Sequence, residues 1–368
     1  MPSHCIPFRN TNYFSPLICD YLDEKPTLKP FYNRFPKLNS FQEQMVEKKA
    51  SFSKKSREVL VASLIEQYKN TKTSQLTQEN IEALQSENTF TVTTGHQLNI
   101  FTGPLYFFYK IISTINLCDE LKAANPNHQF VPIYWMATED HDFEEINYFN
   151  FDEKKVSWDR KASGPVGELD LEGFKHVFEV FSKQLPKSKN ADKLIQLFKD
   201  SYLANNSLTQ ATRNLVNALF KAYGLVIIDG NDKNLKTEFI PYIKEEFLNQ
   251  SSYKEVSNTN KELNALPENY KIQVNPREIN LFYIKSGLRE RIVEIDGVFQ
   301  VLETDISWNK NQLIAEVENY PERFSPNVIL RPLFQEVVLP NLCYIGGGGE
   351  LAYWFQLKSN FEAQNVTF

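Results

Sequence analysis

The sequence predicts an α/β fold built on an open parallel sheet, and three observations predict it. The first is a β-branched and aromatic run, Thr89-Phe90-Thr91-Val92-Thr93, bounded by Gly95, which reads as a strand. The second is a stretch in which Leu105, Phe108, Ile112 and Ile115 recur at three- and four-residue spacing, running to about Ala124 before Asn125-Pro126-Asn127 breaks it. The third is a continuous apolar run from Phe130 to Ala137, the pattern of a strand covered on both faces. Strand, helix, strand at this length implies a crossover within a parallel sheet.

The other elements follow in order. Residues 1 to about 37 are rich in Pro, Tyr and Phe without a period, and are expected to drape over another part of the protein. From Ser40 to Glu87 the pattern is helical: Ser56-Arg57-Glu58 opens a segment carrying Leu60, Leu64 and Tyr68, and Thr77-Gln78-Glu79-Asn80 caps another before Ile81 and Leu84. Thr102-Gly103-Pro104 starts the crossover helix, because the missing proline N–H costs nothing in a first turn. A helix from about Leu208 to Tyr223 leads into Leu225-Val226-Ile227-Ile228-Asp229, a further strand of the same sheet. Residues 148–200 and 250–320 read as insertions, and the second contains Leu281–Ile284, Arg291–Ile295, an Asp296-Gly297 turn and Val298–Val301 as a hairpin. Asn341 to Tyr353 reads as strand, four glycines and a helix opening at Glu350. The expected division is an N-terminal segment over 1–88, sheet core over 89–147, 201–249 and 321–368, and insertions between.

Composition narrows the function. Hydrophobic residues make up 42% and charged residues 23%, the balance of a globular protein. The net charge of −6 is interspersed, and no basic block or stripe argues for nucleic acid. No apolar run reaches the ~18 residues of a membrane helix. The start, Met1-Pro2-Ser3-His4-Cys5-Ile6-Pro7, lacks a charged-then-apolar leader. Cys5, Cys19, Cys118 and Cys343 are scattered without CxxC spacing, which points to reduced thiols in the cytoplasm, with neither a disulfide frame nor a zinc knuckle.

In open parallel sheets ligands bind outside the carboxyl ends of the strands, and three loops there hold the unusual residues. Around Gly95, His96 and Gln97, glycine admits a close ligand and His96 is a candidate donor to phosphate or developing charge. Thr102 and Gly103 lead into a helix whose free N–H groups would add to it; a turn with a surface histidine is the competing reading. The second loop, Thr138-Glu139-Asp140-His141-Asp142 with Glu144 and Glu145, puts ionisable groups directly after a buried strand. Such a cluster suits binding an amine, holding a metal, or orienting His141 as a general base through Asp140 or Asp142. An acidic first helical turn is the competing reading, but His141 between two aspartates at the end of a buried run favours a site. The third loop, Gly346-Gly347-Gly348-Gly349-Glu350, suits backbone contacts to phosphate or carboxylate, but lacks P-loop and dinucleotide spacing. Upstream of it, Asn327 and Arg331 are polar candidates; Arg331 would fork onto an anion or serve a structural ion pair. Without an HxH or HExxH pair, no metal is predicted.

These segments together resemble the cysteine-adding enzymes of bacillithiol synthesis. The resemblance lies in Thr94-Gly95-His96-Gln97 with Phe101 to Tyr106, in Trp135 with Glu139 to Asn147, in Phe324 to Pro332, and in Gly346 to Glu350 with Ala352-Tyr353-Trp354 and Gln356-Leu357. It implies a Rossmann-type core with two connecting-peptide insertions, and a ligase that joins cysteine through its carboxyl group to the amine of glucosaminyl-malate. ATP is the expected activating cosubstrate. Substrate contacts would then fall on Gly95, Gln97, Thr102, Gly103, Trp135, Glu139, Asn327, Arg331, Gly346, Gly347, Gly348, Gly349 and Glu350, and catalysis on His141, Asp140, Asp142 and His96. Members of the family have a further helical coiled coil that helps them form homodimers, and this chain stops soon after the glycine-rich helix. Many relatives resemble Gly-Gln-Gln where this chain has Gly95-His96-Gln97, which makes the loop similar to the T/H-x-G-H motif of class I synthetases and nucleotidyltransferases. The alternatives are such a nucleotidyltransferase, a metal hydrolase, or a non-catalytic nucleotide- or sugar-binding module.

Overall fold

The computed structural model describes residues 5–368; residues 1–4, with most of the start read above for a leader, lie outside the described residues. At its centre are four parallel strands, β1 (Thr89–His96), β2 (Gln129–Met136), β3 (Val226–Asp229) and β4 (Asn341–Tyr344), in the order β4-β1-β2-β3. The pairing of β1 with β2 is unbroken from Thr89 opposite Gln129 to His96 opposite Met136. Burial explains the composition of both strands: every residue of β1 but His96 is buried, and every residue of β2 but Gln129. The threonines of β1 survive this because Thr91 and Thr93 donate to Asn341 Oδ1 on β4, at 3.1 and 2.8 Å.

The helix Tyr106–Ala124 connects β1 to β2 and buries Phe107, Ile111 and Ile115 in the main core with Tyr134 and Ile133 of β2. The chain moves from β1 through β2 to β3, then returns to lay β4 on the other side of β1. The direction of winding therefore reverses between β1 and β4, the place where open α/β sheets form a crevice.

Outside the sheet, residues 148–200 form the hairpin Tyr148–Phe151 with Lys154–Ser157 and two helices, Phe174–Gln184 and Lys189–Phe198. The helix Ser251–Ala265 precedes an antiparallel sheet of Leu281–Lys285, Leu288–Ile295, Val298–Val301 and Ser307–Trp308, completed by Phe324–Pro326. Asp296 and Gly297 both have positive φ, 51° and 78°, as a two-residue hairpin turn requires. Ser286-Gly287, a second tight turn, joins Leu281–Lys285 to Leu288–Ile295.

Helix starts differ from the expectations by a few residues, and the caps say why. Ser53, not Ser56, caps Lys54–Tyr68, and Ser74, not Thr77, caps Gln75–Ala83; Ser56 and Thr77 supply the N–H groups that those serines accept. The crossover helix begins at Tyr106 rather than at Gly103-Pro104, because Phe101, Thr102 and Gly103 all have positive φ and cannot continue a right-handed helix. The glycine-rich helix starts at Gly348, two residues before Glu350.

Candidate functional site

The loops after β1 and β4 meet at one half-buried cluster centred on Glu350. Lys110 Nζ, from the crossover helix, lies 2.8 and 2.7 Å from the two Glu350 oxygens and also donates to Gly95 O. Tyr344 and Tyr106 donate to the same carboxylate at 2.6 and 2.8 Å, and so does the Gly347 N–H at 2.9 Å. Burial alone would raise the Glu350 carboxyl, but Lys110, Gly347 and Tyr344 outweigh it and hold the group below the ordinary carboxylate range. Glu350 thus takes up the Gly347 N–H from within the chain. Gly347 leaves no room for a side chain: a Cβ there would fall 1.9 Å from the Tyr106 hydroxyl.

Arg331 stands beside this cluster. Its Nη2 donates to Tyr353 at 2.9 Å, and its Nη1 lies 3.7 Å from where a Gly95 Cβ would be. Burial opposes its charge, yet Tyr353, Tyr344 and Glu350 hold the guanidinium protonated. With one bond made of five possible donors among the described residues, Arg331 presents its other N–H groups over Gly95, at the switch point. It makes no carboxylate ion pair among the described residues.

The loop after β2 is joined to that after β1 by Gln97, whose side-chain amide donates to Asp140 at 3.2 Å and to Glu145 at 2.7 Å. Asp140, His141 and Asp142 bring one ligand atom each to within 4.8 Å of one another. Asp142, an exposed residue, carries no hydrogen bond or ion pair on its carboxylate among the described residues, and partial desolvation, followed by the nearby Asp140, raises its pKa. The aspartates do not orient His141. Asp140 Oδ1 accepts from the His141 backbone N–H at 2.8 Å and stands 3.8 Å from the ring Nδ1. The ring nitrogen is held by Arg289 of the antiparallel sheet, so the expected aspartate-oriented general base is not what this loop builds.

The remaining candidates are placed elsewhere or occupied. His96 packs edge-on to Phe107 at 5.4 Å, and burial lowers its pKa. Its Nδ1 is 3.1 Å from Gln97 O; a carbonyl only accepts, so that N–H is already used. Glu139 is paired with Lys236, whose side chain is 1% exposed. Trp135 is 2% exposed, edge-on to Phe334 at 5.5 Å and directly beneath Gly230, and offers no face to a ligand. Asn327 is spent on the turn before Arg331, accepting from Ile329 N at 2.8 Å and donating to Asn280 at 2.9 Å. Thr102 and Gly103 line the bend after β1, with Gly103 crowded by the Asn99 side chain.

Lys110, Lys236, Arg289 and Tyr344 were not among the candidates. Lys110 carried a readable signal: it shares the buried helix face of Phe107, Ile111 and Thr114, where an unpaired ammonium is costly. Lys236 sits likewise among buried Leu235 and Phe239.

A four-stranded parallel sheet with polar loops gathered at its switch point defines a Rossmann-like domain. The model for "Bacillithiol biosynthesis BshC, N-terminal Rossmann-like domain" matches residues 1–368, and the chain belongs to this family. A Flavobacterium johnsoniae protein named "Putative cysteine ligase BshC" is 56% identical over 368 residues, covering 100% of this chain and 69% of the relative. A Christiangramia forsetii protein of the same name is 54% identical over 372 residues, with 100% and 69% covered. The Bacillus anthracis protein of that name is 32% identical over 358 residues, covering 94% of this chain and 65% of the relative.

Proposed function

We propose that the protein is a ligase that joins cysteine, through its carboxyl group, to the amine of glucosaminyl-malate in the last step of bacillithiol synthesis. The relatives' names supply the ligase class and cysteine. The observation that carries the rest is Arg331, a guanidinium with free donors over Gly95 at the switch point. Planar forks of this kind suit carboxylates, and malate brings two.

A carboxylate does not acylate an amine unaided, so ATP is the proposed activating cosubstrate. The acidic loop is the proposed amine end of the site. Asp140 and Asp142 attract the ammonium form, and Asp142, uncommitted and with a raised pKa, takes the proton that the amine must lose. Asp142→Asn is expected to lower the rate by roughly 10²-fold while leaving the fold intact.

The test is incubation of the protein with cysteine, glucosaminyl-malate and ATP, followed by mass spectrometry. The reading expects the amide, lighter than its two parents by one water. A nucleotidyl adduct of either substrate would replace it with a nucleotidyltransferase, and binding without any product would replace it with a binding module.

A further inference from the structure

Arg289 belongs to the strand Leu288–Ile295 and is 9% exposed. Its guanidinium lies over the Phe282 ring at 3.9 Å, and Nε reaches Ser325 Oγ at 3.5 Å. The remaining contact is Nη1 to His141 Nδ1. Burial lowers the guanidinium pKa, and the charges of Asp140, Glu139, Asp142 and Glu290 oppose that without outweighing it.

A guanidinium has five donors and no acceptor, and stays protonated in proteins. The shared proton is therefore the arginine's, and Nδ1 of His141 supplies the lone pair. In a neutral imidazole the one ring proton must then reside on Nε2. That nitrogen has no partner among the described residues, and 42% of the side chain is exposed. The aspartate arrangement first expected would have done the opposite, protonating Nδ1 and leaving Nε2 as a base.

We propose that Arg289 is a positioning residue that fixes His141 as the Nε2–H tautomer, so that His141 meets the substrate as a hydrogen-bond donor. The role of that donor rests on the ligase reading above. Cysteine arrives as an activated acyl group, an acyl phosphate or acyl adenylate derived from the nucleoside triphosphate. The amine lone pair forms the C–N bond, and the carbonyl π pair moves onto oxygen, where His141 Nε2–H stabilises it. On collapse the bond to the phosphate oxygen breaks and its electron pair leaves with the phosphate or nucleotide, while the amine proton goes to Asp142. The antiparallel sheet thereby sets the chemistry of a loop on the parallel one.

The experiment is ¹⁵N NMR of the histidine-labelled protein near neutral pH, with the signal assigned by comparison with His141→Gln among the five histidines. The expected spectrum has a protonated Nε2 and a bare Nδ1 for His141, and Arg289→Met mixes the two tautomers while Arg289→Lys keeps the wild-type one in part. A bare Nε2 in the wild-type protein overturns the proposal, as does a tautomer unmoved by Arg289→Met. Should Arg289→Met fail to fold, the wild-type spectrum decides by itself. In amide formation, His141→Gln, which keeps a donor but no base, is expected to retain at least ~10-fold more rate than His141→Leu; equal losses overturn the donor role. The NMR result is read without substrate, so the expected tautomer with no amide formed in any variant would overturn the ligase reading alone.

Discussion

A single methyl group added at Gly347 meets the Tyr106 hydroxyl at 1.9 Å, and this contact shows how tightly the loop after β4 is closed. Gly347→Ala is expected to push Tyr106 off Glu350 and cost about 1–3 kcal/mol in urea denaturation; an unchanged midpoint would mean the loop closes differently. His96 makes a second case. Burial lowers its pKa from the ordinary 6.5, so the folded protein takes up that proton less readily than the unfolded chain. The folded state therefore loses stability as pH falls below about 6.5 and regains it above. His96→Gln removes this contribution, and the difference between urea midpoints at about pH 7 and about pH 5 should narrow. An equal difference in both proteins would contradict the burial argument. At this scale the sequence was a partial guide. His141, Asp140, Asp142 and Arg331 were visible as residue types at strand ends, but their partners Arg289 and Tyr353 were not. Arg289 lies 148 positions from His141, and nothing local records which nitrogen of an imidazole a distant guanidinium takes.

Elements were easier to read than their joints. β1 and β2 showed in the sequence because each is buried along almost its whole length, which forces a continuous β-branched or apolar run. The caps are ambiguous in the sequence because Ser53 and Ser56, or Ser74 and Thr77, are chemically interchangeable until the helix chooses one as acceptor. The helix Ser251–Ala265 carries too few apolar residues for its period to show in the sequence. Its sequence, Ser-Ser-Tyr-Lys-Glu-Val-Ser-Asn, is polar, and Ser252, Thr259 and Asn260 are among the residues it buries. One latch between elements carries its own prediction. Lys48, on the helix Ser40–Ser51, meets Glu336 at 2.9 Å with side chains 2% and 4% exposed, and Glu336 in turn accepts from Asn341 of β4 at 2.6 Å. Lys48→Met strands a buried carboxylate, and about 3–5 kcal/mol of stability should be lost in chemical denaturation. A loss under about 1 kcal/mol would show that water reaches the pair.

For the whole molecule, the decisive fact is the late return of the chain to β1. β4 begins 250 residues after the Thr91 it pairs with, and that return creates the switch point and brings Arg331 and Glu350 over Gly95 and Lys110. Periodicity predicted a parallel sheet and located loops at its edge, but strand order is set by which buried surfaces fit, which no local pattern states. The central claim is that this crevice recognises the carboxylates of a malate-bearing substrate through Arg331. Calorimetric titration of glucosaminyl-malate into the protein and into Arg331→Met tests it most directly. Loss of charge-assisted hydrogen bonds worth about 1.5–3 kcal/mol predicts a Kd weakened by roughly 10- to 100-fold in the variant. Equal affinity in the two proteins, with both folded, would contradict it.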